Sequence, residues 1–153
     1  MCQRAENNFV GLRCGIMDQF AIGMSKKDYA IMLDCASINY EYVPLELKDN
    51  VILIMNTNKS RTLVTSKYNE RCDECAKGLK LIQDNYKKVS FLCELEEADL
   101  NEIIKIIEDP IVYNRVRHVV TEMARVKKTY SALNEGNIEI VGELLNSSHK
   151  SLK

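Results

Sequence analysis

The hydrophobic pattern of this chain changes its period near Thr62. Before that position, apolar residues form short alternating or continuous runs, which are typical of β-strands. After it, they recur every three or four residues over long stretches, which indicates amphipathic helices. The sequence therefore predicts an α+β fold in which a few strands are followed by an antiparallel helical bundle.

Three segments of the first part have strand character. The segments "YAIMLDC" and "YEYVPLEL", separated by "ASIN", predict a β-hairpin. The segment "NVILIMNTN" contains a continuous apolar run, which suits an interior strand covered on both faces and is the predicted centre of the sheet. Two or three strands do not form an independently stable sheet, so something must cover their faces and edges.

The first long helix of the second part is predicted from a stripe of apolar residues. Its members are Val64, Tyr68, Cys72, Ala76, Leu79 and Ile82. A loop follows, and "EADLNEIIKII" predicts a short helix with acidic residues near its start.

Two further helices are predicted to run antiparallel. The first has Asp109 as its N-cap and Pro110 at its first helical position, and it closes at "NEG". Its apolar stripe is Val112, Val116, Val119, Met123, Val126, Tyr130 and Leu133. The second helix is predicted to turn four residues inward, namely Ile138, Val141, Leu144 and Leu145.

Charge and length exclude several classes of partner. The 21 basic and 22 acidic residues are interspersed and sum to −1, so no basic face predicts binding to nucleic acid or to an anionic membrane. No apolar run approaches the roughly 18 residues of a membrane span, and "MCQRAENNF" lacks a signal-peptide core. We therefore expect a cytoplasmic protein. A chain of 153 residues suffices for one core, and composition places no domain boundary.

The six cysteines, at positions 2, 14, 35, 72, 75 and 93, are expected to be reduced and mostly buried, because no secretory signal accompanies them. The pair Cys72 and Cys75 has the spacing of half a zinc site. Structural zinc requires four ligands, and the two histidines, His118 and His149, lie far downstream. We therefore predict no metal at this pair.

Asp18 is the residue that most invites a functional interpretation, because "CGIMDQF" places its carboxylate among apolar and small residues. The residues alone leave three interpretations open: a helix cap, a solvated position, or a functional carboxylate in a partly dry cleft. In the third, Gly15 would let a substrate approach the backbone. Tyr68 is equally compatible with a core aromatic, and Glu6 with a surface helix position. No glycine-rich phosphate loop is present in the sequence.

Several segments in order resemble galactokinases, which belong to the GHMP family of small-molecule kinases. They are "CQRAENNFVGLRCGIMDQFAIGMSKKDYAIMLDC", "VPLELKDNVILIMNTNKSRTLVTSKYNERCDEC", "RVRHVVTEMARV" and "NSSHKSLK", and together they extend over essentially the whole chain. The resemblance implies ATP-dependent phosphorylation of galactose at its anomeric hydroxyl, with Asp18 as the catalytic residue. It also implies that Glu6 binds Mg²⁺ and that Gly15, Asp18 and Tyr68 contact the sugar.

The resemblance further implies a central piece of the two-domain GHMP kinase fold. Residues 1–28 would be a remnant of the N-terminal kinase domain, and residues 29–153 would reach into the C-terminal domain. The family's N-terminal sugar motif, ATP-cradling loop and late glycine-rich motif are not found in this sequence, so we expect the chain alone to be inactive and to form a homo-oligomer through uncovered surfaces. Two alternatives stay open: a non-catalytic sugar and nucleotide sensor, and an N-acetylgalactosamine kinase.

Overall fold

The computed structural model describes residues 2–56, 58 and 67–152. The expected mixture of a small sheet followed by helices is confirmed. The elements in chain order are α1 (Cys2–Ala5), a π-helix (Glu6–Val10), α2 (Met17–Met24), β1 (Tyr29–Leu33), β2 (Tyr40–Pro44), α3 (Tyr68–Asn85), two 3₁₀ turns (Leu92–Glu94 and Glu97–Asp99), α4 (Leu100–Ile106), α5 (Pro110–Asn134) and α6 (Ile138–Ser151).

The chain divides into two compact units. Unit 1 comprises Met1–Tyr68 and Tyr130–Val141, and unit 2 comprises Asn69–Thr129 and Gly142–Lys153. Composition gave no sign of this division, because each unit is built from two separate stretches and no proline- or glycine-rich linker joins them. The resemblance implied another division, into residues 1–28 of an N-terminal domain and residues 29–153 of a C-terminal domain. That division differs from the two compact units and stays a prediction.

In unit 1, strands β1 and β2 form the predicted antiparallel hairpin. Tyr29 lies opposite Pro44, and Leu33 lies opposite Tyr40. Asp34 holds the turn, because its carboxylate accepts hydrogen bonds from the Ala36 N–H at 2.9 Å and the Ser37 hydroxyl at 2.6 Å. Both bonds hold the pKa of Asp34 below its usual value, the Ser37 hydroxyl more than the Ala36 N–H.

Aromatic side chains fasten helix α2 to this hairpin. The ring of Phe20 on α2 lies edge-on to Tyr40 with 5.1 Å between centroids, and Tyr40 in turn lies 5.6 Å from Tyr42. The Tyr42 hydroxyl donates a hydrogen bond of 2.8 Å to the Met24 carbonyl at the end of α2. Edge-to-face pairs of this kind stabilise by about 0.5–1.5 kcal/mol beyond the area they bury. The hairpin therefore fixes the helix that carries Asp18.

The prediction of a central strand in "NVILIMNTN" is wrong for this chain. Residues 51–56 belong to neither a helix nor a strand, and the side chains of residues 51–55 are 66–90% exposed. A strand requires a neighbouring strand for its backbone hydrogen bonds, and the only sheet among the described residues has two strands that pair with each other. Thr57 and residues 59–66 lie outside the described residues.

Unit 2 contains the principal hydrophobic core. Nine buried residues form it, namely Ile82, Val89, Leu92, Leu95, Ile103, Ile107, Val112, Val116 and Val120. Gly78 lets α3 approach α5 closely, because a Cβ at this position would overlap the side chain of Val116 and lie 3.2 Å from Val112. The helical pattern thus predicted the inward faces of α3 and α5 at most positions. Other residues that were predicted to face inward are exposed, namely Ala76, Val126 and Leu145, and Val64 lies outside the described residues.

Helix α5 begins and ends as the sequence predicts. Asp109 caps it, because its Oδ1 accepts the N–H groups of Ile111 at 3.0 Å and Val112 at 3.4 Å. At the other end, Gly136 has a left-handed φ of 67°, and its N–H donates to the Leu133 carbonyl at 3.0 Å. A β-carbon would strain this conformation, which explains the glycine.

Polar contacts confirm that α5 and α6 run antiparallel in unit 2. His118 Nδ1 lies 2.9 Å from the Ser151 hydroxyl, and the Ser148 hydroxyl donates to Glu122 at 2.7 Å. Arg125 pairs with the other oxygen of Glu122 at 2.6 Å. Residue numbers rise on one helix as they fall on the other, which is the antiparallel arrangement.

The cysteines are free thiols, but they are less buried than predicted. Cys2, Cys35 and Cys93 are exposed, and Cys14, Cys72 and Cys75 are half-buried. Burial is the main cause that raises the pKa of the Cys75 thiol.

The contact at Gly78 generates a test of the unit 2 core. We expect Gly78→Ala to lower the free energy of unfolding by about 1 kcal/mol or more, because overlap with Val116 outweighs the gain in helix propensity. The matched control is Gly142→Ala on α6, where a Cβ meets nothing within 4 Å and the change should stabilise by up to about 1 kcal/mol. Urea denaturation measures both, and equal stabilisation of the two variants would contradict the packing.

Asp99 generates a prediction of pH dependence. Its carboxylate accepts the Glu96 N–H at 2.8 Å and the Tyr86 hydroxyl at 2.7 Å, and these two contacts hold its pKa below the ordinary value. A carboxyl whose pKa is lower in the folded state stabilises that state above about pH 4, and this contribution is lost as pH falls further. In urea unfolding at pH 5, 4 and 3, the free energy of unfolding should decrease less steeply as pH falls for Asp99→Asn than for the parent. An identical decrease for the two proteins would contradict the stabilising role of the Asp99 carboxylate.

Candidate active site

A π-helical turn carries Glu6 and directs the chain into the loop before α2. The π-helix ends at Gly11, which has a left-handed φ of 81° and donates its N–H to the Glu6 carbonyl. The Leu12 N–H reaches the same carbonyl at 3.2 Å, and the Leu12 side chain is only 7% exposed. Leu12 is therefore the apolar anchor of a loop whose other residues remain accessible or half-buried.

Cys14 connects this loop to the helices on both sides of it. Its carbonyl accepts a hydrogen bond of 3.2 Å from the Gln3 side chain, and its N–H donates to the Leu12 carbonyl at 2.8 Å. Its thiol donates to Asn7 Oδ1 at 3.5 Å and accepts from Gln19 Nε2 at 3.9 Å. Sulfur hydrogen bonds are individually weak. The contacts with Gln3, Asn7 and Gln19 fix the loop against α1, the π-helix and α2, and the bond to Leu12 closes the loop on itself.

Asp18 lies in the first turn of α2 and is exposed. It does not cap the helix, because the N-cap residue is Ile16 and no side chain closes this end. In the described part of the chain no hydrogen bond or ion pair occupies its carboxylate. The first turn of a helix tolerates an acidic side chain well, and the Asp18 carboxylate is not enclosed by its described neighbours. The carboxylate is therefore free to accept a hydrogen bond from another molecule.

Nothing in the described part of the chain requires a glycine at position 15. Its backbone φ is not in the left-handed region, and a Cβ built on it meets nothing within 4 Å. The residue is exposed and lies three positions before Asp18. An added side chain would therefore enter the open space beside the loop without contacting the protein.

The Glu6 carboxylate contains an oxygen that lacks a partner. Its Oε2 is shielded from solvent, yet nothing among the described residues donates a hydrogen bond to it. Gln19 Oε1 is in the same condition. A shielded acceptor without a donor is costly and is usually satisfied by a proton, a water molecule or a cation. The hard oxygen of Glu6 thus fits a divalent cation such as Mg²⁺.

Glu6 would be a solitary protein ligand within the described region, because no cluster of three or more histidine, cysteine, aspartate or glutamate side chains there could hold a metal. Mg²⁺ commonly keeps several waters and takes only one or two carboxylates together with phosphate oxygens. A single glutamate is therefore compatible with this ion and unsuited to a closed structural metal site.

Tyr68 is the first residue of α3 and is 43% exposed. It is therefore not the core aromatic that the helical stripe allowed. The segment of residues 6–18 contains Glu6, Gly15 and Asp18. Tyr68 belongs to the same compact unit. The residues between positions 58 and 67 that lead to Tyr68 lie outside the described part of the structure.

Sequence reasoning missed the residues that position the segment. Cys14 contacts three of these residues, namely Gln3, Asn7 and Gln19. The chain between them contains a π-helical turn, whose side-chain spacing differs from both the helical and the strand period. Asn7 and Gln19 gave no signal, and Cys14 was interpreted only as a thiol. The clue available was the density of amide side chains on both sides of "RCG".

Three concavities of the described surface lie away from these residues. One of about 380 Å³ is lined by the hairpin and Tyr130, one of about 590 Å³ by residues 48–50 and 135–139, and one of about 460 Å³ lies in unit 2. None of the three includes Glu6, Gly15, Asp18 or Tyr68. These three described concavities are therefore separate from the predicted site residues.

Comparison with known proteins decides the family. No family model matches the chain. Galactokinase from Clostridium tetani is 52% identical over all 153 residues, and galactokinase from Clostridium acetobutylicum is 49% identical over the same length. The chain is a segment of the galactokinase family.

The solved structures agree with this. The crystal structure of Lactococcus lactis galactokinase complexed with galactose is 45% identical, has a TM-score of 0.91 and covers 98% of this chain. The chain spans 39% of the length of the two clostridial galactokinases and 38% of the Lactococcus lactis chain. The predicted resemblance to galactokinases and the predicted fold class are thus confirmed.

The exposure of Asp18 and Gly15 generates a prediction about stability. We expect Asp18→Asn and Gly15→Ala each to change the free energy of unfolding by no more than about 1 kcal/mol, because neither side chain has a contact to lose or an overlap to create. Urea denaturation of the 153-residue chain measures this. Leu12→Ala is the comparison that should destabilise, by about 2 kcal/mol or more, because Leu12 is buried. A large loss for Asp18→Asn would assign Asp18 a structural role.

Proposed function

We propose that this chain supplies the catalytic carboxylate of a galactokinase, which transfers the γ-phosphoryl group of ATP to the anomeric hydroxyl of galactose and yields galactose 1-phosphate. The observation that carries the proposal is the position of Asp18: an exposed carboxylate without a partner in the described structure, at the start of a helix fixed by its neighbours. The similarity to galactokinases over the entire chain supports the same assignment.

In the proposed reaction, Asp18 accepts the proton of the anomeric hydroxyl. The sugar oxygen forms a bond to the γ-phosphorus as the bond between that phosphorus and the bridging oxygen of ADP breaks. Catalysis of phosphoryl transfer is chiefly a matter of positioning and charge stabilisation, so the carboxylate orients the hydroxyl as well as receiving its proton.

The other predicted residues have supporting roles in this proposal. Gly15 leaves room for the sugar to approach the loop backbone, and the Tyr68 hydroxyl hydrogen-bonds a sugar hydroxyl. Glu6 would hold Mg²⁺, which would supply positive charge to stabilise the phosphoryl group during transfer. The Glu6 oxygen that lacks a donor among the described residues supports that role.

We further propose that the chain by itself does not turn over substrate and self-associates. The three motifs expected from the family are not in this sequence, and each phosphate-binding contact in such enzymes contributes roughly a hundred- to a thousand-fold in rate. Exposed apolar residues at positions 51–55 favour association between copies. Because the proposed reaction consumes ATP, we propose that it takes place in the cytoplasm. None of the described helices is both long and apolar enough to cross a membrane.

Activity is tested in a chimera, because the chain spans 39% of the Clostridium tetani galactokinase. This chain replaces the matching segment of that enzyme, and galactose-dependent ADP release is measured. We expect Asp18→Ala to lower kcat by roughly a thousand-fold or more, because both the proton acceptor and the orienting hydrogen bond are lost.

The matched control for Asp18→Ala is Asp28→Asn. Asp28 lies shortly after the same helix and has a left-handed φ of 64°, which asparagine tolerates. The Asp28→Asn variant should retain the kcat of the parent. Equal rates for the parent and Asp18→Ala would remove Asp18 from the proposed role. N-acetylgalactosamine in place of galactose, in the same assay, distinguishes the two sugar kinases.

A further inference from the structure

Gln19, the residue after Asp18, has a side-chain amide that the described residues satisfy at one end only. Its Nε2 lies 3.9 Å from the Cys14 sulfur, to which it donates a weak hydrogen bond. Its Oε1 is shielded from solvent, and no described residue donates to it. A shielded amide oxygen without a donor is costly, so its presence in a native structure requires a specific explanation.

The Gln19 side chain joins the first turn of α2 to the loop that precedes it. No side chain caps this turn, whose N-cap residue is Ile16. Asp18 is exposed and forms no hydrogen bond or ion pair with the described residues. The hydrogen bond from Gln19 to the Cys14 sulfur is therefore the side-chain hydrogen bond that ties the start of the helix to the loop in the described part of the chain.

Cys14 extends this contact to the elements on the far side of the loop. Its thiol donates to Asn7 Oδ1 at 3.5 Å, within the π-helix that carries Glu6. Its carbonyl accepts a hydrogen bond of 3.2 Å from the Gln3 side chain of α1. A displacement of Gln19 would therefore change where the start of α2 lies relative to the whole of this segment.

We propose that Gln19 is a positioning residue for phosphoryl transfer: it holds the first turn of α2 against Cys14 and thereby directs the Asp18 carboxylate. Gln19 acts through Asp18, so the inference rests on the proposed role of Asp18 as proton acceptor. The shielded Oε1 would fix the amide from its second end by accepting from a donor that no described residue supplies. A catalytic group displaced by about 1 Å can lose roughly a hundred-fold in rate.

A double-mutant cycle in the chimera with the Clostridium tetani enzyme tests the inference. Gln19→Met keeps the length of the side chain and removes both of its hydrogen-bonding ends. We expect it to lower kcat by roughly 10- to 100-fold and to leave the KM for ATP within about two-fold of the parent. Added to Asp18→Ala, it should lower kcat by no more than about two-fold further, because its effect passes through Asp18.

The matched control is Gln83→Met on α3, which makes the same exchange in unit 2. It removes a hydrogen bond of 2.7 Å to the Val89 carbonyl, so it should lower the midpoint of urea denaturation and leave kcat unchanged. Equal losses of kcat in Gln83→Met and Gln19→Met would assign the effect to general destabilisation and overturn the inference.

Two kinetic outcomes separate this inference from the proposed function. If Asp18→Ala is impaired but Gln19→Met matches the parent, or if the two losses multiply in the double variant, the positioning role fails and Asp18 keeps its role. If Asp18→Ala matches the parent, the proposed function fails and the positioning role fails with it.

Amide exchange in the isolated chain gives a second measurement that does not depend on activity. The Phe20 N–H donates to the Ile16 carbonyl at 2.9 Å and so reports on the first turn of α2. It should exchange roughly ten-fold faster in Gln19→Met than in the parent, because the turn has lost its contact with the loop. Gln83→Met should leave this rate unchanged. An unchanged rate in Gln19→Met would overturn the inference.

Discussion

The hydrogen bonds at Cys14 are the constraint on which the candidate site depends. They tie a loop that has only one buried apolar side chain, Leu12, to α1, the π-helix and α2. Together with the buried Leu12 side chain, they fix where the loop with Gly15 lies before α2 begins. The aromatic contact between Phe20 and the hairpin holds the same helix from its other side. The site residues are therefore positioned by polar contacts more than by a core.

The two compact units differ in how they are stabilised. Unit 2 contains a continuous core of nine buried apolar residues, whereas the buried apolar residues described in unit 1 are Leu12, Val43, Ala132 and Val141. All four predicted site residues belong to unit 1. Among the described residues, the unit with the proposed chemistry thus has the smaller set of buried apolar side chains.

The sequence predicted those features that depend on neighbours close along the chain. Helices α3 to α6 follow from their spacing, and Asp109 and Gly136 mark the ends of α5, because capping and periodicity are local properties. Residues 51–55 form neither a helix nor a strand, and the sheet of the described residues consists of β1 and β2. A continuous apolar run predicts burial, whereas these side chains are 66–90% exposed.

The candidate site was predictable in a different way. The residues alone left Asp18, Glu6 and Tyr68 with structural alternatives, and resemblance to galactokinases was needed to choose among them. The structure removes the capping alternative for Asp18 and the core alternative for Tyr68. The contacts of Cys14 with Asn7 and Gln19 cross a π-turn, whose spacing no regular period predicts.

The most direct measurement of the central claim is a crystal structure of the chimeric galactokinase with galactose bound. If Asp18 is the proton acceptor, a carboxylate oxygen of Asp18 should lie about 2.6–3.2 Å from the anomeric hydroxyl oxygen. A sugar bound with that hydroxyl beyond reach of Asp18, or an Asp18 carboxylate engaged in an ion pair, would contradict the claim.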